Sequence, residues 1–288
     1  MLNGFLLVDK PSGITSFGVI AIIRKKFGMK KVGHTGTLDP LATGLMVVGI
    51  GKATKFLEFH TIHDKEYEAE ITLGKISETY DAEGPITTTN SINIKPTIKE
   101  IESALNEFRG EIEQIPPKYC ALKVNGEKLC NLVRRGKQVN ANIKKRKITI
   151  YKNVIISYKY PVLKLRISCS SGTYIRSIAH DLGQTLSSGA YLSNLRRTKI
   201  DKLDIKKAKE IEFLTEKDIL PMNLSLDFPI IELNYGHIER LKFGQRISLT
   251  KEGIKVPINN KYLQIYLGTE FQGIAEIKGE ILKAKKMV

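Results

Sequence analysis

The segment 33–44 reads Gly33-His34-Thr35-Gly36-Thr37-Leu38-Asp39-Pro40-Leu41-Ala42-Thr43-Gly44 and has no helix or strand period, so it is assigned to loop. Its three glycines free the backbone to approach a ligand closely. Pro40 biases Asp39 towards extended conformations and holds that carboxylate on a stiff turn. A carboxylate held this way can attack, or stabilise, an electrophilic carbon. The same residues can form an Asx turn that only shapes the loop. Spacing alone leaves both readings open.

Other motifs fall short of the chemistry they suggest. In Gly49-Ile50-Gly51-Lys52-Ala53-Thr54, Met46 and Ala53 stand where a Walker loop needs glycine and Ser/Thr, and Thr54 stands where a dinucleotide fingerprint needs glycine. His60 and His63 lack a following carboxylate or cysteine at ligand spacing, so they read as a surface pair at a helix end. Cys120, Cys130 and Cys169 are odd in number and contain no CxxC pair. That usage argues against a disulfide scaffold or a zinc site and points to a reducing cytosol.

The elements that must position Asp39 follow from hydrophobic period. Residues 4–10 form a buried strand ending in the turn Pro11-Ser12-Gly13. Thr15 or Ser16 then caps a helix to about Phe27, with Phe17, Ile20, Ile23 and Phe27 on one face. A short apolar strand covers 45–50. Residues 65–74 alternate, with Tyr67, Ala69, Ile71 and Leu73 on one side and Glu66, Glu68, Glu70 and Thr72 on the other. Residues 86–96 are a surface connection, and Thr97 with Glu100 makes a capping box for a helix to Phe108, stopped at Gly110. Strands are expected at 148–151 and 162–169, and a helix over 173–186 with Tyr174, Ile178, Leu182 and Leu186 on one face. Without a regular βαβ rhythm, the fold class is α+β, a mixed and largely antiparallel sheet with flanking helices. After Phe228-Pro229 short β-like runs alternate with turns, which gives a small β-rich C-terminal unit. The domains are placed at 1–228 and 229–288.

The chain has 288 residues, 42% of them hydrophobic, and a net charge of +16. That composition is globular, and the charge favours a polyanionic partner, nucleic acid first. No apolar run reaches the roughly 18 residues needed to span a bilayer, and the N-terminal apolar stretch is too short and wrongly flanked for a signal peptide. The excess charge is local. Residues 61–115 carry 5 basic and 12 acidic side chains, whereas 116–176 carry 15 basic and one acidic, including Arg134, Arg135, Lys137 and the run Lys144-Lys145-Arg146-Lys147. Such an imbalance opposes compaction unless a polyanion relieves it, so phosphate contact is expected there.

Six motifs in order carry a family resemblance. The 33–44 loop resembles the catalytic loop of bacterial tRNA pseudouridine-55 synthases, the TruB-type family. Asp9-Lys10-Pro11-Ser12-Gly13-Ile14-Thr15-Ser16 is similar to their N-terminal motif, and Lys65-Glu66-Tyr67-Glu68-Ala69 to their active-site tyrosine strand. Pro116-Pro117-Lys118-Tyr119-Cys120-Ala121-Leu122-Lys123 resembles the start of their RNA-gripping insertion, here about 117–140, with Cys120 where serine is common. Ser171-Gly172-Thr173-Tyr174-Ile175-Arg176-Ser177 resembles their arginine motif, and Leu195-Arg196-Arg197-Thr198 completes the set. The tail matches their PUA domain in position and size, with weaker motifs.

The resemblance implies conversion of the T-arm uridine of tRNA to pseudouridine by base flipping, with no cofactor, metal or guide RNA, by a cytoplasmic monomer with no membrane attachment. It implies Asp39 as nucleophile, Tyr67 against the target base and Arg176 paired with Asp39, holding it ionised. It places His34, Tyr174, Leu195 and Lys10 in the substrate-binding set, with His34 helping to displace the uridine. Singly, Tyr67 is ordinary core, Arg176 a surface helix residue and His34 a loop hydrogen bonder; at family spacing they read as one site. Rival classes are a non-catalytic RNA-binding module and a metal-dependent RNA hydrolase.

Overall fold

The computed structural model describes residues 2–89, 95–120, 122–124, 127–129, 135, 144–257 and 260–288. The chain begins with β1 (Gly4–Lys10), α1 (Ser16–Lys26), β2 (Val32–Thr35), β3 (Thr43–Ile50) and α2 (Leu57–Thr61). Next come β4 (Lys65–Leu73), the hairpin β5 (Lys75–Ser77) and β6 (Ile86–Thr88), α3 (Ile98–Glu107) and β7 (Gly110–Gln114). A two-stranded hairpin, β8 (Lys123–Val124) and β9 (Glu127–Lys128), precedes β10 (Arg146–Lys159), β11 (Val162–Cys169), α4 (Ile175–Thr185), β12 (Ala190–Ile200), β13 (Leu203–Asp204) and β14 (Lys209–Glu210). The C-terminal unit holds β15 (Ile230–Glu232), α5 (Tyr235–Lys242), β16 (Ile247–Ser248), β17 (Tyr262–Leu267), β18 (Glu270–Lys278) and β19 (Ile281–Met287).

One mixed sheet runs β14-β1-β3-β12-β4-β11-β10-β7, with β2 added to β3 and β13 to β12. Its pairings are antiparallel except β1 with β14 and β12 with β3. This is the expected α+β class. Continuous apolar runs in β1 and β3 have a simple cause. Leu6, Val8, Met46 and Val48 join the core that packs against α1 and α4, while Phe5, Leu7, Leu45 and Val47 bury against the opposite side. There they meet Phe56 and Phe59, which contact Phe228 and, in the C-terminal unit, Tyr262 and Phe271 at ring separations of 5.3–5.6 Å. Strands covered on both faces lose their polar alternation.

Several expectations change. Gly33, His34 and Thr35 are not loop; they pair antiparallel with Gly49, Val48 and Val47, so only 36–42 is free of the sheet. Ladder pairing with a buried strand outweighs the weak strand preference of glycine. On α1 the buried residues are Ser16, Val19, Ile20 and Ile23, while Phe17 is 67% exposed beside Arg24. The 148–151 strand is 14 residues long, and register irregularities at Ile150–Lys152 and Ile155–Ser157 break the period that would have marked its full length. Helix α4 starts at Ile175, which leaves Tyr174 outside it as N-cap. Central strand β12 carries no clear alternation, since it is shifted against β4 at two places and buries Arg197. The Thr97–Glu100 capping box is present. Arg134, Lys137, Cys130 and most of the 117–140 insertion lie outside the described residues.

No helix among the described residues is long and apolar enough to cross a membrane. His60 is fully buried with its ring edge-on to Phe5, so the pair is not a surface feature. Among the described residues no group of three or more His, Cys, Asp or Glu side chains is arranged to hold a metal.

Candidate active site

A cavity of about 820 Å³ opens where the 36–42 loop, β4, the turn after β5, the 119–120 segment, the start of α4 and β12 converge. Asp39, Tyr67, Tyr174, Arg176 and Leu195 all line it. The fold closes the 137 residues between Asp39 and Arg176, and β12, which carries Leu195, lies between β3 and β4. The loop needs glycine at Gly44, whose φ is +103° and whose absent Cβ would sit 2.3 Å from the Arg197 carbonyl oxygen. That close approach lets β3 run parallel to β12 at Gly44 and Arg197.

Arg176 organises one end of the cavity. Its Nε lies 3.1 Å from Asp39 Oδ2, and its Nη1 lies 3.0 Å from Asp81 Oδ2. It also donates to the carbonyls of Thr79 and Tyr119, at 3.3 and 3.0 Å. The guanidinium is therefore buried and fully used, unlike a surface helix residue. Asp39 keeps 39% of its side chain open to the cavity. Burial pushes the Asp39 carboxyl above its ordinary pKa; Arg176 and Lys10 oppose the shift and Asp81 reinforces it. Arg176 thus orients Asp39 and opposes the upward shift that burial imposes.

Asp81 was missed by sequence reasoning. Its carboxylate is 1% exposed and also accepts from Thr79 Oγ1 at 2.6 Å and Glu83 N at 3.0 Å. Only the fold brings it to Arg176, 95 residues away. Gln114 was missed too. Its side-chain amide accepts from Tyr174 N and donates to Tyr174 O, at 2.8 and 3.0 Å, anchoring the residue that precedes α4. Tyr174 contacts the Cys120 thiol, and burial pushes its phenol up to about 12.

Arg197 organises the other end. It is buried and donates to Leu45 O at 2.7 Å, to Gly36 O at 3.0 Å, and it is hydrogen-bonded to Tyr67. Burial raises the Tyr67 pKa, and Arg197 opposes that rise. Lys65 also lines the cavity; burial and Arg197 lower its pKa to about 8, while its ammonium donates to Thr61 O and His63 O.

Two residues of the expected substrate set stand elsewhere. Lys10 is 0% exposed beneath the loop, where its ammonium donates to the carbonyls of Pro11, Pro40 and Ala42 at 2.9, 3.1 and 2.5 Å. It holds the segment that carries Asp39 and does not line the cavity. His34 lies on β2, half-buried and outside the cavity lining, with burial and Arg197 lowering its pKa.

The local charge imbalance is redistributed by the sheet. Lys164 and Arg166 pair with Glu70 and Glu68 at 3.0 and 2.8 Å, and Lys145 and Lys147 pair with Glu113 and Glu111 at 3.4 and 3.1 Å. Acidic and basic segments that look separate in sequence are neighbouring strands. A more concentrated basic surface is assembled from three places. Arg24, Lys30, Lys31, Lys52 and Lys55 line a cleft of about 520 Å³ with no acidic residue in its wall.

Residues 24–175 match the model of the TruB family pseudouridylate synthase, N-terminal domain. The chain is 37% identical over 295 residues to the tRNA pseudouridine synthase B of Clostridium kluyveri, covering 99% of each. It is likewise 37% identical over 298 residues to that of Aquifex aeolicus, covering 100% of each. A solved structure of an H/ACA RNP bound to a substrate RNA containing 2′-deoxyuridine shares the fold: TM-score 0.71 at 22% identity, over 99% of this chain and 84% of that one. The mixed sheet and the C-terminal β unit both fall within that likeness. By family model and by full-length identity, the chain belongs to the TruB family of pseudouridylate synthases.

Proposed function

We propose that this pseudouridylate synthase acts on tRNA, converting the T-arm uridine at position 55 to pseudouridine, alone and without a guide RNA, as a cytoplasmic monomer. The observation that carries this reading is a half-open carboxylate, Asp39, oriented by Arg176 in a cavity that also contains the Tyr67 ring. Relatives matched over their whole length are named tRNA pseudouridine synthase B, which supports tRNA as the substrate.

Entry of the uridine into the cavity requires it to leave its stack, at a cost of a few kcal/mol. Tyr67 offsets part of that cost by stacking, Tyr174 and Leu195 wall the pocket, and His34, outside the cavity, displaces the uridine from the loop. Cleavage of the C1′–N1 bond develops positive charge on the sugar, which the Asp39 carboxylate meets as carboxylates do in glycosidases. The uracil then turns, C1′ bonds to C5, C5 gives up its proton and N1 takes one up, so the product is an isomer. Burial favours the protonated Tyr67 phenol, so to act as the base at C5 it must first pass on its own proton, and Arg197 stabilises the phenolate that then accepts the proton from C5. Lys10 acts beneath the loop as a positioning group. RNA phosphates are met by the basic cleft and by the exposed cations of 144–147, so affinity falls with salt.

The decisive experiment incubates purified protein with an unmodified T-arm stem-loop and maps pseudouridine. Modification of one loop uridine with no added RNA or protein is expected; no product under those conditions overturns the reading.

A further inference from the structure

The turn that delivers Asp81 contains a backbone outlier. Tyr80 has φ +66°, a left-handed conformation that a bulky L residue rarely adopts. Its ring lies stacked on His180, with centroids 3.9 Å apart and planes 9° from parallel. His180 stands one helical turn beyond Arg176 on α4, so both project from the same helix face. Two consecutive residues of the turn, Tyr80 and Asp81, therefore grip two residues one turn apart on the helix. The main chain of the turn is fixed as well. Leu192 N donates to Tyr80 O at 2.9 Å, and Tyr80 N donates to Ser77 O at 3.1 Å. On the far side of the turn, the Glu83 carboxylate accepts from the backbone of Leu41 in the loop that carries Asp39.

We propose that the Tyr80–His180 stack is the positioning element of this active site: it holds the left-handed turn against α4, so that Asp81 fixes Arg176 and Arg176 in turn aims Asp39. Strain at a residue next to a functional group persists where surrounding contacts over-determine it, and here the stack supplies the contact. Neither ring lines the cavity, so both act through Arg176 and leave the substrate untouched. The inference rests on Asp39 being the reacting carboxylate of the proposed function.

Its test uses the full chain and total unmodified tRNA, read by single-turnover rate, RNA affinity and the pH dependence of the rate. Tyr80→Ala is expected to slow the single-turnover step tenfold or more with RNA affinity within twofold. Its acid limb should move to higher pH, because a loosened Arg176 opposes the raised Asp39 pKa less. Tyr80→Phe, which keeps the ring, should retain most of the rate. Tyr80→Gly, which relieves the backbone and removes the ring, should be as slow as Tyr80→Ala. If the Tyr80 variants fold poorly, the helix side decides: His180→Ala should be slow and His180→Phe should recover the rate. A Tyr80→Ala protein at wild-type rate, or His180→Phe as slow as His180→Ala, overturns the proposal. So does a rate loss matched by an equal loss of affinity. Wild-type protein that leaves the T-arm uridine unmodified removes the substrate reading; wild-type activity with an indifferent Tyr80→Ala removes this inference alone.

Discussion

Two arginine-centred regions share one cavity and behave differently. Arg176 is saturated by the carboxylates of Asp39 and Asp81 and by two carbonyls, so its surroundings carry net negative charge. Arg197 is bonded to two carbonyls and the Tyr67 phenol and, among the described residues, has no carboxylate partner. Burial accordingly lowers its pKa, and its charge pushes down those of Lys65 and His34. The same side chain thus orients a carboxylate at one end and acts as a positive post at the other. Partner chemistry decides the role.

The largest effect that can break this contrast is at the acid. Asp39→Asn should lower the single-turnover rate by about 10³-fold or more while RNA affinity is retained; a rate within tenfold of wild type would leave the Arg176 end without its reactive group. Arg176→Met should also be slow. Because Arg176 lowers the Asp39 pKa, its removal should carry the acid limb of the rate to higher pH, and an unmoved limb would count against the coupling. Arg197→Met is expected to act on the fold, costing about 2–4 kcal/mol in denaturant unfolding as the carbonyls of Leu45 and Gly36 lose their donor. If it is as stable as wild type, Arg197 is no post.

His60 separates acid effects on rate from those on stability. Its native pKa lies at about 4, below the ordinary 6.5, chiefly through burial, so protonation favours the unfolded chain. Its contribution is whole above pH 6.5 and declines as pH falls towards 4, by up to about 3 kcal/mol. His60→Phe should flatten that slope in urea titrations and leave the acid limb of the rate in place. The smallest effect on stability is expected from Tyr67→Phe. Loss of its hydrogen bond to Arg197 should cost about 1 kcal/mol of stability, and a markedly larger cost would mean that the phenol, not the carbonyls, is the main partner of the post.

Legibility followed distance along the chain. Thr97 and Glu100 sit three residues apart, and their capping box was readable. Asp39, Tyr67 and Arg176 were readable as motifs because each is framed by its own neighbours. Asp81 and Gln114 gave no such signal: one is defined by a partner 95 residues away, the other by a tyrosine 60 residues away. Strand β12 escaped notice because two register shifts and a buried arginine erase the alternation that marks a strand. Counting charge by segment was incomplete for the same reason, since Glu68 and Glu70 lie opposite Arg166 and Lys164 across the ladder.

The sequence by itself determined the residues that could react, the spacing that ties them to a family and the sign of the partner, because all three reside in side-chain chemistry and local order. Only the tertiary structure decided which charges are neutralised, that Asp81 shares Arg176 with Asp39, which arginine holds the phenol, and that Lys10 works beneath the loop. Those outcomes depend on strand order and burial, which set a group's neighbours and dielectric and cannot be read from its place in the chain.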